Sequence, residues 1–262
     1  MRLMKVKDIM TKDVISVGKN ESLDHILYLM EKHDITKIPV VEGGKLLGII
    51  TDGEIAYKLG SFRKKDVTPA HLYASSVMVK DFDTISPDTE VKDIIKTVGL
   101  PGLTMLPVID DGKLVGVVTK ADLLPLVKSE EPVSKVMTKH VITVGLEDRV
   151  VHARRLIIDN NIARLPVVKE GEVVGIIAEM DIARAFAKLK KSISMKYQKH
   201  YVDELLVRDA MKSPAIVAEP DISIKEAAEI MLKNNIGAIP LVKDNKLVGI
   251  VTRTDLIKTL RE

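Results

Sequence analysis

The chain of 262 residues contains no cysteine. That excludes a disulfide framework, thiolate catalysis and cysteine-ligated zinc. No stretch approaches the ~18 consecutive apolar residues of a membrane span. The start, MRLMKVKDIM, lacks the apolar run of a secretory signal. A cytoplasmic location is the default expectation. No charge sign dominates: net charge is +3 with 29% charged residues. Mixed signs argue against nucleic acid as the main partner. Glutamine occurs once while Lys, Glu and Ile abound, a composition that points weakly to a thermophile. No Gly-rich phosphate loop, Ser-His-Asp order or pair of catalytic carboxylates can be assembled, so no chemistry is expected.

What the sequence does have is repetition. The phrases GIITDGEI (48–55), GVVTKADL (116–123), GIIAEMDI (175–182) and GIVTRTDL (249–256) are near-copies. Each follows a proline in an apolar cluster: Pro39, Pro107, Pro166 and Pro240. The phrase's glycine lies nine residues beyond the proline, at Gly48, Gly116, Gly175 and Gly249. Its acid lies six further, at Glu54, Asp122, Asp181 and Asp255. A methionine stands 29 residues before each proline, at Met10, Met78, Met137 and Met211. Successive prolines are 68, 59 and 74 residues apart, so the variation falls between units and not within them.

Each unit reads β-α-β-β-α. A short apolar run comes first, such as DVISV (13–17) or HVITV (140–144). A helix follows, with apolar residues three and four apart, as in Leu23, Ile26, Leu27 and Met30. Ser22 and Asp88 stand near helix starts as caps. Two strands joined by Gly- or Asn-bearing turns predict a hairpin, and a closing helix ends the unit. The units span 6–60, 74–128, 133–188 and 207–262. One such unit buries little core alone, so the units are expected to pair. The segment 187–206 is basic, with Tyr197 and Tyr201; it reads as a solvated helix joining two halves, with a partner surface as the alternative. The methionines in register are expected to pack. The six histidines share no metal-ligand spacing, so no metal is expected.

The Thr-x-x-Asp of the phrase has a purely structural explanation. It is a capping box, in which the hydroxyl caps the closing helix and the acid reaches back to the N-cap amide. That accounts for Thr119 with Asp122, Thr252 with Asp255 and, best of all, Thr51 with Glu54.

A β-α-β-β-α unit with an apolar-Pro-Val cluster and Gly-h-h-Thr-x-x-Asp, where h is apolar, resembles the CBS domain. Four tandem copies resemble the gamma subunit of AMP-activated protein kinase and stand-alone archaeal CBS proteins. The resemblance implies an α/β (α+β) fold. It also implies two paired Bateman modules, 1–128 and 129–262, in a disc around a central channel. Adenine nucleotides (AMP, ADP or ATP) would bind between paired domains, with no catalytic cofactor. S-adenosylmethionine and an empty-cleft scaffold are the alternatives. Function would be regulatory: a ligand favours one domain orientation and a protein partner, not identified, reads it. Homodimerisation is left open.

In this family the acid, hydroxyl and apolar residue of the phrase contact nucleotide, and the partner domain supplies the base pocket. Carried over, the first site joins Val117, Thr119 and Asp122 with Val14, Ile35, Thr36 and Lys37. The second joins Ile250, Thr252 and Asp255 with Val141, Ile162, Ala163 and Arg164. Weaker sites use Ile49, Thr51 and Glu54 with Phe82, Leu103 and Thr104, and Ile176, Ala178 and Asp181 with Ala215, Ile236 and Gly237. The two complete Thr-x-x-Asp motifs face the two units with a cation two residues before proline, Lys37 and Arg164. Capping does not predict that coincidence, and cations at those positions argue for a phosphate.

Overall fold

A computed structural model describes residues 4–60, 69–97, 105–193 and 198–261. In the first unit the apolar stripe of α1 (Leu23–Lys32) buries Leu23, Ile26 and Met30, and the Ser22 hydroxyl accepts the His25 amide at 3.3 Å. A hairpin of β1 (Lys37–Glu42) and β2 (Lys45–Thr51) follows, then α2 (Asp52–Leu59). The second unit is α3 (Ala74–Val77), α4 (Val91–Thr97), β3 (Met105–Asp110), β4 (Lys113–Thr119) and α5 (Lys120–Leu123). The third is β5 (Val144–Gly145), α6 (Val150–Asp159), β6 (Arg164–Lys169), β7 (Glu172–Ala178) and α7 (Glu179–Ser192). Beyond α8 (Gln198–Glu204) the fourth contains α9 (Val207–Ala210), α10 (Ile224–Lys233), β8 (Ala238–Lys243), β9 (Lys246–Thr252) and α11 (Arg253–Lys258).

The four hairpins share one register. Pro39 faces Ile49, Pro107 faces Val117, Pro166 faces Ile176 and Pro240 faces Ile250. Their turns hold two successive residues at positive φ, such as Gly43 (58°) and Gly44 (83°) or Asp244 (51°) and Asn245 (62°). This left-handed pair matches strand twist and explains why the turns carry Gly, Asn and Asp.

Three sequence expectations need correction. The first strands shrink to single parallel bridges, Val17 with Val40, Ile85 with Val108 and Ala218 with Leu241, and only unit three keeps a two-residue strand. The reason is that this segment serves two sheets. Its far end joins its own hairpin, while its start crosses to a neighbouring unit, as Thr11 does to Val117. Asp88 is no cap: it lies three residues before α4 and takes Lys5 and Lys7 at 2.8 and 2.9 Å. Nor is the described part of 187–206 simply a solvated joint. α7 runs on to Ser192 with Ala187 buried, and Val202 on α8 is 1% exposed within the core of units one and three.

Units pair by exchanging these crossings. Thr11 bridges Val117 and Val79 bridges Ile49, which joins units one and two; Thr138 bridges Ile250 and Lys212 bridges Ile176, which joins units three and four. The methionine before each crossing residue lies on the partner's glycine. A Cβ at Gly116 would stand 2.7 Å from the Met10 sulfur, one at Gly48 2.8 Å from Met78, one at Gly249 2.6 Å from Met137 and one at Gly175 2.7 Å from Met211. Any larger residue there would collide with a neighbouring unit. Ile49, Met105 and Val117 form a small core between the first two sheets, with Val14 and Phe82 against it.

Two larger cores join the pairs. α2 packs on α7, so units one and three share one apolar cluster; α5 meets α11, so units two and four share the other. The units therefore close a ring in the order one, two, four, three. Across its centre Asn235 of unit four donates to the backbone oxygen and carboxylate of Asp34 of unit one, at 2.9 and 2.7 Å. Among the described residues no helix is long and apolar enough to cross a membrane.

Candidate functional site

Each closing helix begins immediately after β2, β4, β7 or β9, so its first turn points where paired units meet. In unit two Asp122 Oδ2 accepts the Thr119 amide and the Thr119 hydroxyl, both at 2.7 Å. In unit four Asp255 Oδ2 accepts the Thr252 amide at 2.9 Å and the hydroxyl at 2.7 Å. The acids thus cap the helix, and the hydroxyl is turned onto the carboxylate. Without a hydroxyl, unit three keeps only the bond from the Ala178 amide to Asp181, at 2.9 Å. In unit one, expected to hold the best capping box, only half of it is made: the Thr51 hydroxyl accepts the Glu54 amide at 3.2 Å, as Thr252 does from Asp255 at 3.4 Å, and the longer Glu54 carboxylate does not return to the Thr51 amide.

The first candidate site is brought together in part. Val14 and Val117 pack on one small core, and Thr11, from the same segment as Val14, donates its hydroxyl to Asp122 Oδ1 at 3.1 Å. Ile35 is half-buried against the core of its own unit, while Thr36 is exposed and its carbonyl accepts the Asp52 amide at 2.9 Å. Lys37 donates to the Thr36 hydroxyl at 2.9 Å. The second site mirrors it. Thr138 and Ile250 exchange backbone bonds of 2.9 and 3.0 Å, Val141 and Ile162 are half-buried, and the Ala163 carbonyl accepts the Glu179 amide at 3.1 Å.

The weaker sites differ. Phe82 lies beside Ile49, whereas Leu103 and Thr104 fall outside the described residues. Asp181 is 5% exposed, and burial raises its pKa against the pull of the Ala178 amide and Lys212. Ile176 bridges Lys212, so a cation stands where the first two sites have Thr11 and Thr138. Ile236 packs into the core of units two and four, and Ala215 is half-exposed. The Arg164 guanidinium lies directly on Gly237, where any Cβ would collide with it. Arg164 thus reaches the wall of the fourth site as well as belonging to the strand of the second.

Sequence reasoning missed a set of residues at the ring's centre. The first residues of the four closing helices are Asp52, Lys120, Glu179 and Arg253. Lys37 faces Asp52 and Glu179, and also Arg164 and Arg253; Lys120 faces Lys37, Arg164 and Asp255; Arg253 faces Arg164 and Asp122. Among the described residues none of these four cations has a carboxylate oxygen within 4.0 Å. Burial pushes Lys37 and Lys120 below the usual ammonium range, and neighbouring cations push further. Burial also raises Asp52, against Lys37, and lifts Glu179 to about 7, with Asp52 adding to the rise. The signal for Thr11 and Thr138 was present, since each follows a landmark methionine. The central residues had none, because each is an ordinary middle letter of Thr-x-x-Asp.

Four cations from four units, none with a carboxylate oxygen within 4.0 Å among the described residues, make a centre that suits an anion. No group of three or more His, Asp or Glu suited to a metal occurs among the described residues.

The comparisons agree with this architecture. The profile of the CBS domain matches residues 6–61, 74–129, 133–188 and 207–262. Protein MJ1404 of Methanocaldococcus jannaschii is 32% identical over 275 residues, an alignment covering 100% of this chain and 64% of that one. The chain therefore spans less than two thirds of that relative. The crystal structure of MJ1225 from the same organism, proposed as an archaeal homologue of g-AMPK, superposes with a TM-score of 0.84 at 26% identity, over 98% of this chain and 100% of that one. A conserved protein of Pyrococcus horikoshii shares the fold, with a TM-score of 0.62 at 24% identity over 98% of this chain and 100% of that one. With four matched domains over most of its length, the chain belongs to the CBS-domain family.

Proposed function

We propose that the protein is a regulatory sensor of adenine nucleotides, with one ligand between units one and two and another between units three and four. The observation that carries this reading is the cationic centre. Lys37, Lys120, Arg164 and Arg253 converge from four units without a carboxylate in contact. Desolvated cations without a counter-charge in contact are costly even where, as for Arg253 on the Ile236 carbonyl and Asn235, neutral groups accept from them, and an arriving phosphate offsets that cost. They favour a nucleotide over S-adenosylmethionine, which brings no phosphate. In the first cleft Val117 and Val14 supply apolar contact for a base, and Asp122 exchanges its bond with Thr11 for ribose hydroxyls. Thr138, Ile250 and Asp255 play these parts in the second. A ligand touching both units of a pair, and through the centre the other pair, favours one ring geometry, which a partner protein reads.

Calorimetric titration of AMP, ADP, ATP and S-adenosylmethionine tests this. Two nucleotide sites are expected. Asp122→Ala should remove one and Asp255→Ala the other, each by a tenfold or greater loss of affinity, on the order of a charged hydrogen bond. Absence of all nucleotide binding would leave the scaffold reading. Binding unaffected by both substitutions would reduce the acids to helix caps.

A further inference from the structure

Glu179 stands apart from every other acid of the centre. It opens α7, where a carboxylate suits the helix dipole. Yet its side chain leaves its own helix and lies across α2 of unit one. A Cβ at Gly53 would be 2.7 Å from Glu179 Oε1. Among the described residues its carboxylate is in no hydrogen bond or ion pair, although it is only half exposed. Four charged groups face it: Asp52 and Glu54 from α2, Lys37 from β1 and Arg164 from β6. Asp52, which opens α2, is 9% exposed and faces the same two cations. In units two and four the corresponding position holds Lys120 and Arg253.

The pattern around the ring is therefore acid in units one and three, base in two and four. A structural role at the helix start explains an acid at this position. It does not explain a carboxylate laid over a neighbouring helix without a bond. What that carboxylate does from there is act, beyond bonding distance, on Lys37 and Arg164, the cations that a ligand's phosphates need.

We propose that Glu179, with Asp52 behind it, is a specificity-determining residue that sets nucleotide selection by charge, lowering the gain the cationic centre would otherwise give a di- or triphosphate over a monophosphate. The inference rests on the nucleotide-binding reading of the two clefts. Each phosphate added to a ligand is drawn by the four cations of the centre, but it is also repelled by the two carboxylates that stand among them. At the intermediate effective dielectric of such sites, one extra pair of like charges costs roughly a factor of ten in affinity. Protonation of Glu179 removes its share of that cost. Its carboxyl titrates near 7, so the discrimination weakens as pH falls from 8.0 to 6.5. The ligand's own phosphate, with a pKa of about 6, changes equally for wild type and variant and cancels in their comparison.

The test is calorimetric titration of AMP and ATP into wild type, Glu179→Gln, Glu179→Asp and Asp52→Asn, at pH 6.5 and 8.0. Glu179→Gln should tighten ATP about tenfold and AMP about threefold or less, and should flatten the pH dependence of the ratio of the two affinities. Asp52→Asn should shift the ratio the same way, and Glu179→Asp, which keeps the charge, should preserve the wild-type order. If AMP and ATP bind wild type but the ratio is unmoved in Glu179→Gln, the charge filter is wrong while the sensor reading stands. If neither nucleotide binds wild type or any variant, both readings fall.

Discussion

The sulfur of Met10 occupies the space a side chain on Gly116 would need, 2.7 Å from where its Cβ would be. The two residues are 106 positions apart and belong to different units. Three more methionine–glycine pairs repeat the arrangement around the ring.

Gly116→Ala should therefore destabilise the first pair by about 1–3 kcal/mol through overpacking. The loss should shrink in a Met10→Ala background, where the methyl has room. Denaturant unfolding of the two single variants and the double variant gives the coupling. Additive effects would show that Met10 and Gly116 do not share this space.

Arg154 of α6 donates to the carbonyls of Ala56 and Tyr57, both at 3.2 Å, at the last turn of α2. The Ala56 carbonyl also accepts the Gly60 amide at 3.0 Å, whereas the Tyr57 carbonyl lies where a helix lacks partners of its own, and a cation suits that end of the dipole. Arg154→Met keeps much of the bulk but loses both bonds between units one and three. A loss of about 1–3 kcal/mol in unfolding free energy is expected, without effect on nucleotide affinity. A neutral substitution would mean that water replaces the guanidinium at no cost.

Lys37 is a cation held by desolvation below its usual pKa, with Arg164 and Arg253 opposing it and Asp52 and Glu179 only partly compensating. Lys37→Met should raise the ligand-free melting temperature, with a gain of about 1 kcal/mol, because the desolvated charge disappears. The same change should abolish most of the thermal shift produced by AMP. A ligand-free protein that melts earlier would show that attraction to the two carboxylates outweighs desolvation.

Stability should also depend on pH through Glu179. Its carboxyl titrates near 4.5 in the unfolded chain and at about 7 when folded. Between those values the folded state holds a proton that the unfolded state has released, so stability declines as pH rises from 4.5 to 7 and is level above. Asp52 and Asp181, also raised by burial, act in the same direction. Urea unfolding at pH 5.5 and 7.5 should show the wild type weaker at 7.5, and Glu179→Gln should reduce that difference. An unchanged difference in the variant would place the dependence on Asp52 and Asp181.

By itself the sequence determined the units. Hairpin register, turn residues and the apolar faces of α1 and α10 follow from spacings of two, three and four residues, which act within a few neighbours in the chain. The resemblance carried by Pro39, Gly48 and Asp122 with their copies extended that to pairing. Ser22 was legible as a cap because its partner is three residues away. Asp88 misled because its partners, Lys5 and Lys7, are brought to it by the fold. Only the tertiary structure decided that the first strands divide between two sheets, and that Arg164 lies on Gly237. It alone placed Asp52, Lys120, Glu179 and Arg253 around one centre. The physical reason is that desolvation and charge act through space. Each of those residues is one exposed-looking letter in its own repeat, and its environment is supplied by units far away in sequence.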